Sequence, residues 1–232
     1  MSDADKERWN ARYASGEYIA RTHPSDLLAS WIDRLPRGRA LDVACGAGRN
    51  AIFLASKGYR VEAMDISSVA LERASKRAQA EGLEVRWIEA DLERIARRHL
   101  ERSKAPQGAS AAERSEEDTA SFATATGIPR KAYRLVVVAR FLDRPLIPHL
   151  IDALAPGGYL VYDHHYIVPA SAGGLARVGG PPSIRFRARP NELLDRFRDL
   201  RIVHYEEGIV EDPDRRAMAL ARLVACKGDP GF

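Results

Sequence analysis

Leu41-Asp42-Val43-Ala44-Cys45-Gly46-Ala47-Gly48-Arg49-Asn50 decides the fold. The run up to Ala44 reads as a short buried strand, interrupted by the charge of Asp42. Glycines at 46 and 48 permit a tight turn and let the backbone approach a ligand with no Cβ in the way. A helix opening at Arg49 aims its first amides at whatever sits in that turn. In doubly wound sheets, ligands bind outside the carboxyl ends of strands, at the point where strand order reverses. The stretch therefore reads as strand, ligand-facing turn and helix, although a glycine pair alone also suits a plain strand–helix connection.

Working outward, strands and helices alternate. Arg39–Ala44 is a strand, Arg49–Ser56 a helix, Tyr59–Met64 a strand, Ser67–Ala80 a helix and Leu83–Ile88 a strand. Such alternation implies parallel pairing through βαβ crossovers. Upstream, a helix is expected over Asp5–Tyr13 and a second near Ser25, a residue suited to an N-cap. Residues 1–36 are thus expected to form a helical lid. The stretch 103–132 has few large apolar residues and reads as a disordered insertion, because it cannot bury enough surface to offset its ordering entropy. Beyond it come the strand Arg134–Ala139, the helix Leu146–Leu154, a turn at Ala155–Gly158 and the strand Tyr159–Tyr162. After the short helix Asn191–Phe197, the strands Arg201–Tyr205 and Met218–Cys226 are joined by a polar turn at Glu211–Arg215, a closing antiparallel hairpin. The expected architecture is α/β: one domain over 1–232, with a Rossmann-like, seven-stranded, mostly parallel sheet, helices on both faces and a C-terminal antiparallel hairpin.

Composition narrows the function. The 232 residues are 45% apolar and 29% charged, ordinary for a globular protein. No apolar run approaches the roughly 18 to 20 residues of a membrane span, so no membrane role is expected. The opening MSDADKERWNARYASGEY is polar and acidic, unlike a signal or transit peptide. Two distant cysteines, Cys45 and Cys226, are no disulfide framework, and a cytoplasmic location is expected. The net charge of +4 is spread along the chain, which tolerates an anionic substrate without arguing for nucleic acid.

Three carboxylates close three successive strands: Asp42, Asp65 and Asp91. Asp65 is placed to accept the two hydroxyls of a ribose. Asp91 alone reads more simply as a helix cap. Together they line one rim, which suits a nucleoside with a cationic amino-acid tail and not a pyrophosphate.

With these residues in view, the chain resembles the class I S-adenosylmethionine-dependent methyltransferases, and in detail their tellurite-resistance type. The resemblance lies in Arg21-Thr22-His23, in Leu41–Asp65, in Ala90-Asp91-Leu92, in Pro156-Gly157-Gly158 and in the late segments Asn191–Phe197 and Tyr205–Glu207. It implies that S-adenosylmethionine is the cofactor, with Gly46, Ala47 and Gly48 around its methionine part and Asp42 beneath. It further implies that Asp65 holds the ribose, Ile66 packs on the adenine, Asp91 and Leu92 meet the adenine edge, and Arg21 lies at the cofactor. Two departures stand out. Ala44 occupies the position of the family's first glycine, and Arg140-Phe141-Leu142-Asp143-Arg144 differs on the acceptor side.

Methyl transfer from a sulfonium is an in-line displacement in which the cofactor carries the hard chemistry and the protein supplies orientation. A base is needed only where the acceptor must lose a proton. His164 and His165 follow the fifth strand, and adjacent strand residues face opposite ways, so at most one points into the site. His164 and Arg140 are the acceptor-side candidates. No histidine pair has zinc spacing, and no metal is expected. Ser183–Arg189 alternates strictly, so an extended conformation would put Arg185, Arg187 and Arg189 on one face, as an anion clamp or a solvated edge. Trp9, Arg12 and Tyr13 could cover the cofactor. The partner expected is a small-molecule acceptor, anionic or a soft nucleophile such as a chalcogen oxyanion, with no nucleic acid; the oligomeric state is left open. Two other readings fit parts of the sequence. A nicotinamide-dependent oxidoreductase matches Gly46–Ala51 as GxGxxG/A, and a non-catalytic cofactor-binding module matches an altered acceptor pocket.

Overall fold

A computed structural model describes residues 3–96, 127–169, 174, 177–211 and 216–229. The expected insertion lies outside the described residues as far as 126, as do positions 212–215 of the terminal turn. The strands are β1 (Arg39–Val43), β2 (Arg60–Asp65), β3 (Val85–Glu89), β4 (Tyr133–Ala139), β5 (Leu154–His165), β6 (Arg201–Glu211) and β7 (Ala217–Cys226). They form a single sheet in the order β3-β2-β1-β4-β5-β7-β6. β1 pairs in parallel with both β2 and β4, whereas β7 is antiparallel to β5 and to β6. The order therefore reverses between β1 and β4, which puts the switch-point crevice at the end of β1, as expected.

The helices are α1 (Asp3–Ala14), α2 (Asp26–Trp31), α3 (Arg49–Ser56), α4 (Ser68–Ala80), α5 (residues 92–96), α6 (Ile147–Ala153) and α7 (Glu192–Arg196). One sheet face packs against Leu27 and Leu28 of α2, Ala51 and Leu54 of α3, and Leu71 of α4. The other face packs against Leu92 and Ala96 of α5, Ile147 and Leu150 of α6, and Leu193 of α7. Each buried leucine of this size contributes about 1.5–3 kcal/mol of transfer free energy, so the two-layer burial dominates stability.

Register assigns the functional residues to a face. Asp42 is opposite Ala63 and Val137, and Val137 is opposite Val161. Side chains two residues apart share a face. Asp42, Asp65, Asp163 and His165 therefore lie on the α2–α4 face, while Tyr162 and His164 lie on the other.

Three expectations are corrected. Pro156-Gly157-Gly158 is not a free turn but an irregularity inside β5, where the register slips between Tyr133 and Leu135. A Cβ at Gly158 would lie 2.8 Å from the Tyr133 carbonyl, so the strand can bulge there only without a side chain. Ser183–Arg189 is not extended: Ile184–Phe186 is a 3₁₀ turn, and its arginines separate. Arg187 is fully buried, donating to the carbonyls of Pro181, Tyr166 and Gly179, while Arg185 stays exposed. Finally, Ser25 precedes α2 without capping it, because its hydroxyl is drawn into a tertiary bond. No helix among the described residues is long and apolar enough to cross a membrane.

Candidate functional site

The turn after β1 alternates its backbone hand. Ala44, Gly46 and Gly48 have φ of +54°, +54° and +74°. Ala44 holds a left-handed conformation that costs an L-residue roughly 1–2 kcal/mol, so the departure from glycine there has a backbone consequence. The turn is laced to its neighbours: the Cys45 amide donates to Met64 O (2.9 Å), the Gly46 amide to Asp65 Oδ2 (2.8 Å) and the Gly48 amide to Cys45 O (3.0 Å). Glycine is required at 48, where a Cβ would lie 2.6 Å from the Trp87 ring and 2.8 Å from the Ala74 methyl. At 46 a Cβ would lie 2.3 Å from the Tyr13 hydroxyl, which roofs the turn.

Asp42 is 1% exposed, and neither carboxylate oxygen reaches a full hydrogen bond. Burial pushes its pKa up to about 7, against the pull of the Arg49 charge and of the Ala51 backbone amide. A buried, unsatisfied carboxylate is expensive for a fold that gains nothing from it. Asp65 is also buried, and its Oδ1 accepts from the Ser67 amide at 2.9 Å. Burial raises its pKa, opposed by the amides of Ser67, Gly46 and Ile66. Ser67 caps α4 itself by accepting from the Ala70 amide. Asp91 ends the next strand, and its Oδ1 accepts from the Arg94 amide at 3.0 Å, the cap that its position suggested. Ile66 and Leu92 are buried beside these two carboxylates in sequence.

The expected lid divides in two. α2 belongs to the core, with Leu27 and Leu28 buried. α1 buries no residue and is fastened across the rim: Asn10 Oδ1 accepts from the Ser67 hydroxyl (2.7 Å), Lys6 pairs with Glu89, and Arg73 donates to the Ala14 carbonyl. Its last turn stacks Tyr13 against Trp9 and Tyr18, with the Arg12 guanidinium 4.8 Å from the Trp9 ring centroid. Arg21 stacks on Tyr18.

Where the sequence placed the acceptor side, Arg140 takes a left-handed φ of +63° immediately after β4. Its amide donates to the Asp163 carbonyl (2.8 Å) and its Nε lies 2.9 Å from Asp163 Oδ1. Asp163 Oδ2 accepts from the Ser25 hydroxyl at 2.6 Å, and the Ser25 amide donates to Asn50 Oδ1. Sequence reading missed this Ser25–Asp163–Arg140 chain, although an aspartate directly after the apolar run Tyr159–Tyr162 was a signal for it. His164 Nε2 donates to the Phe186 carbonyl (3.0 Å) on the opposite face, and burial lowers its pKa to about 4. His165 is lowered to about 2 by burial and by Arg140. Arg144 ties this region together, donating to both oxygens of buried Glu192 (2.6 and 2.8 Å) and to the Arg187 carbonyl.

The glycine turn thus lies at the switch point of a Rossmann-like sheet, with Asp42 and Asp65 buried beside it. Residues 40–104 match the family described as methyltransferase domain. An uncharacterized protein of Mycobacterium tuberculosis is 46% identical over 57 residues, 25% of this chain and 21% of that protein. The putative methyltransferase YqeM of Bacillus subtilis is 41% identical over 59 residues, again 25% of this chain and 24% of its own length. The matched stretch thus spans less than a quarter of these relatives. In three dimensions, TehB from Haemophilus influenzae superposes with a TM-score of 0.64 at 19% identity, over 93% of this chain and 66% of that one. The family match thus takes in 65 of the 232 residues, and S-adenosylmethionine is the cofactor that such a domain implies.

Proposed function

We propose that this chain is a single-domain, cytoplasmic S-adenosylmethionine-dependent methyltransferase that methylates a small acceptor, an anion or soft nucleophile of the kind handled by the tellurite-resistance type. The observation that carries the reading is Asp42. A carboxylate that is buried, short of a full hydrogen bond and set under a glycine turn fits the ammonium or sulfonium charge of the cofactor. The group supplies an activated methyl when bound. The chain's own residues hold and orient it: Asp42 and the Gly46-Ala47-Gly48 turn at the methionine end with Arg21, Asp65 at the ribose, and Ile66, Asp91 and Leu92 around the adenine. Tyr13 and α1 exclude water from above. Arg140 stands on the acceptor side; His164, which the sequence offered with it, lies on the opposite sheet face and bonds to the Phe186 carbonyl. Alignment of this kind is worth about 7–11 kcal/mol of a bimolecular barrier.

The nicotinamide reading is disfavoured by the same geometry. The amides of Cys45, Gly46 and Gly48 bond within the protein, and carboxylates stand where a pyrophosphate would need donors. Two buried free cysteines suit a reducing compartment. The test is transfer of labelled methyl from S-adenosylmethionine to a panel of small thiols, carboxylic acids, amines and chalcogen oxyanions. Label in a small acceptor supports the proposal; label confined to nucleic acid or protein, or none at all, refutes it.

A further inference from the structure

β5 ends with two histidines that face opposite ways, and the structure separates their surroundings. His164 shares its face with Tyr162 and the α6–α7 core, with Nε2 bonded to the Phe186 carbonyl. His165 shares its face with Asp42, Asp65 and Asp163. It is 7% exposed, and its Nδ1 is buried with no hydrogen-bond partner. Gly180, at φ +104°, lies flush against its ring: a Cβ there would sit 2.5 Å from Nδ1. This packing fixes the ring in place without satisfying it.

The charge around His165 is lopsided. Arg140, Arg187 and Arg21 all act on it, together with the neighbouring His164 ring. Arg140 is matched by Asp163. The Arg187 guanidinium is fully buried, and its partners are the three carbonyls of Pro181, Tyr166 and Gly179, with no carboxylate paired to it among the described residues. A buried cation held only by carbonyl dipoles leaves an unneutralised positive field, and a fold tolerates that best where an anion arrives.

Resting on the proposed function, we infer that His165, rather than His164, is the histidine that meets the acceptor, as a neutral hydrogen-bonding group in a cationic pocket that takes the acceptor as an anion. An anionic acceptor needs no base. Its lone pair forms the bond to the methyl carbon as the carbon–sulfur bond breaks, the pair stays on sulfur, and no proton changes hands. Burial foremost, with the Arg140 charge, keeps His165 unprotonated, and the same positive charges favour the deprotonated acceptor. The methylated product has lost its charge, so the same field holds it less tightly. His165 is thus a positioning and specificity residue and not a proton acceptor.

The experiment titrates acetate, benzoate and inorganic phosphate, with acetamide and benzamide as neutral controls, into protein saturated with S-adenosylhomocysteine, read by calorimetry. At least one anion should bind saturably and at least tenfold tighter than its neutral analogue. His165→Asn and Arg140→Leu should each weaken that anion tenfold or more, while Arg34→Gln, a remote exposed change, leaves it unaltered. Ring nitrogen NMR should show His165 neutral at pH 5 in the ligand-free protein, a readout that does not depend on turnover. Equal binding of anion and amide, binding of no anion, a protonated His165 at pH 5, or loss on His164→Asn with none on His165→Asn would overturn the inference. Binding of S-adenosylhomocysteine itself is measured in every variant. Its retention with the anion lost separates a failure here from a failure of the cofactor reading.

Discussion

Asp42→Asn should stabilise the ligand-free protein and weaken its hold on cofactor, a combination that a structural aspartate would not give. In the fold the Asp42 carboxyl titrates near pH 7, against 3.8 for an ordinary aspartate, because burial opposes the charge. Below pH 3.8 both folded and unfolded chains carry the proton. Between 3.8 and 7 only the unfolded chain releases it, so stability falls as pH rises, at about 1.4 kcal/mol per pH unit. The total is about 4 kcal/mol, and the curve flattens above pH 7. Asparagine cannot ionise and keeps the acid-side stability, less about 1–2 kcal/mol for an amide that is itself unpartnered. The net gain at pH 8 is about 2–3 kcal/mol, or roughly 5–10 °C in melting temperature for a chain of this size. At pH 4 the gain should vanish. The lost charge-assisted bond to the cofactor's cationic end is worth about 1.5–3 kcal/mol, which is roughly a 10- to 100-fold weaker Kd. Melting curves from pH 4 to 8, with and without S-adenosylhomocysteine, read both effects. A variant less stable than the parent at pH 8, or one binding S-adenosylhomocysteine as tightly as the parent, refutes the assignment.

Other expectations follow from the same geometry. Gly48→Ala adds a methyl 2.6 Å from Trp87 on a backbone at φ +74°, so combined overpacking and strain should cost about 2–4 kcal/mol, read by urea denaturation. Ala44→Gly releases the strain at φ +54° against a modest gain in unfolded-state entropy, and should leave stability unchanged or raised by up to about 1 kcal/mol. Glu192 is held at about 2 despite its burial, by bonds from Arg144 and the Arg189 amide. Its folded pKa lies below its unfolded 4.5, so its contribution is complete above pH 4.5 and lost as pH falls toward 2. Glu192→Gln should therefore cost about 3–5 kcal/mol at neutral pH and little at pH 2, in acid-denaturation curves.

Much of the sheet was legible because strand and helix periods differ and each element keeps its own. The helix Arg49–Ser56 is found where the sequence placed it, and the other early elements shift by one or two residues at their ends. The terminal hairpin is longer than expected: β6 runs to Glu211, because Glu206, Glu207 and Gly208 on an edge strand carry no apolar alternation to announce it. Alternation misled at Ser183–Arg189, where Arg187 turns inward to three carbonyls that lie far from it in any local pattern. The candidate cofactor residues could be named because they occupy strand ends, which sequence can count. The Ser25–Asp163–Arg140 chain could not, because Ser25 and Asp163 are 138 residues apart and meet only through the sheet order. The sequence left the facing of His164 and His165 undecided, and register settles which face each one takes.

The most direct test is calorimetric titration of the purified chain with S-adenosylhomocysteine and, separately, with NAD and NADP, repeated on Asp65→Ala. The account predicts one-site binding of the sulfur nucleoside alone, lost or weakened at least tenfold by Asp65→Ala. Binding of a nicotinamide nucleotide in its place would contradict it, and would return the glycine turn to a dinucleotide.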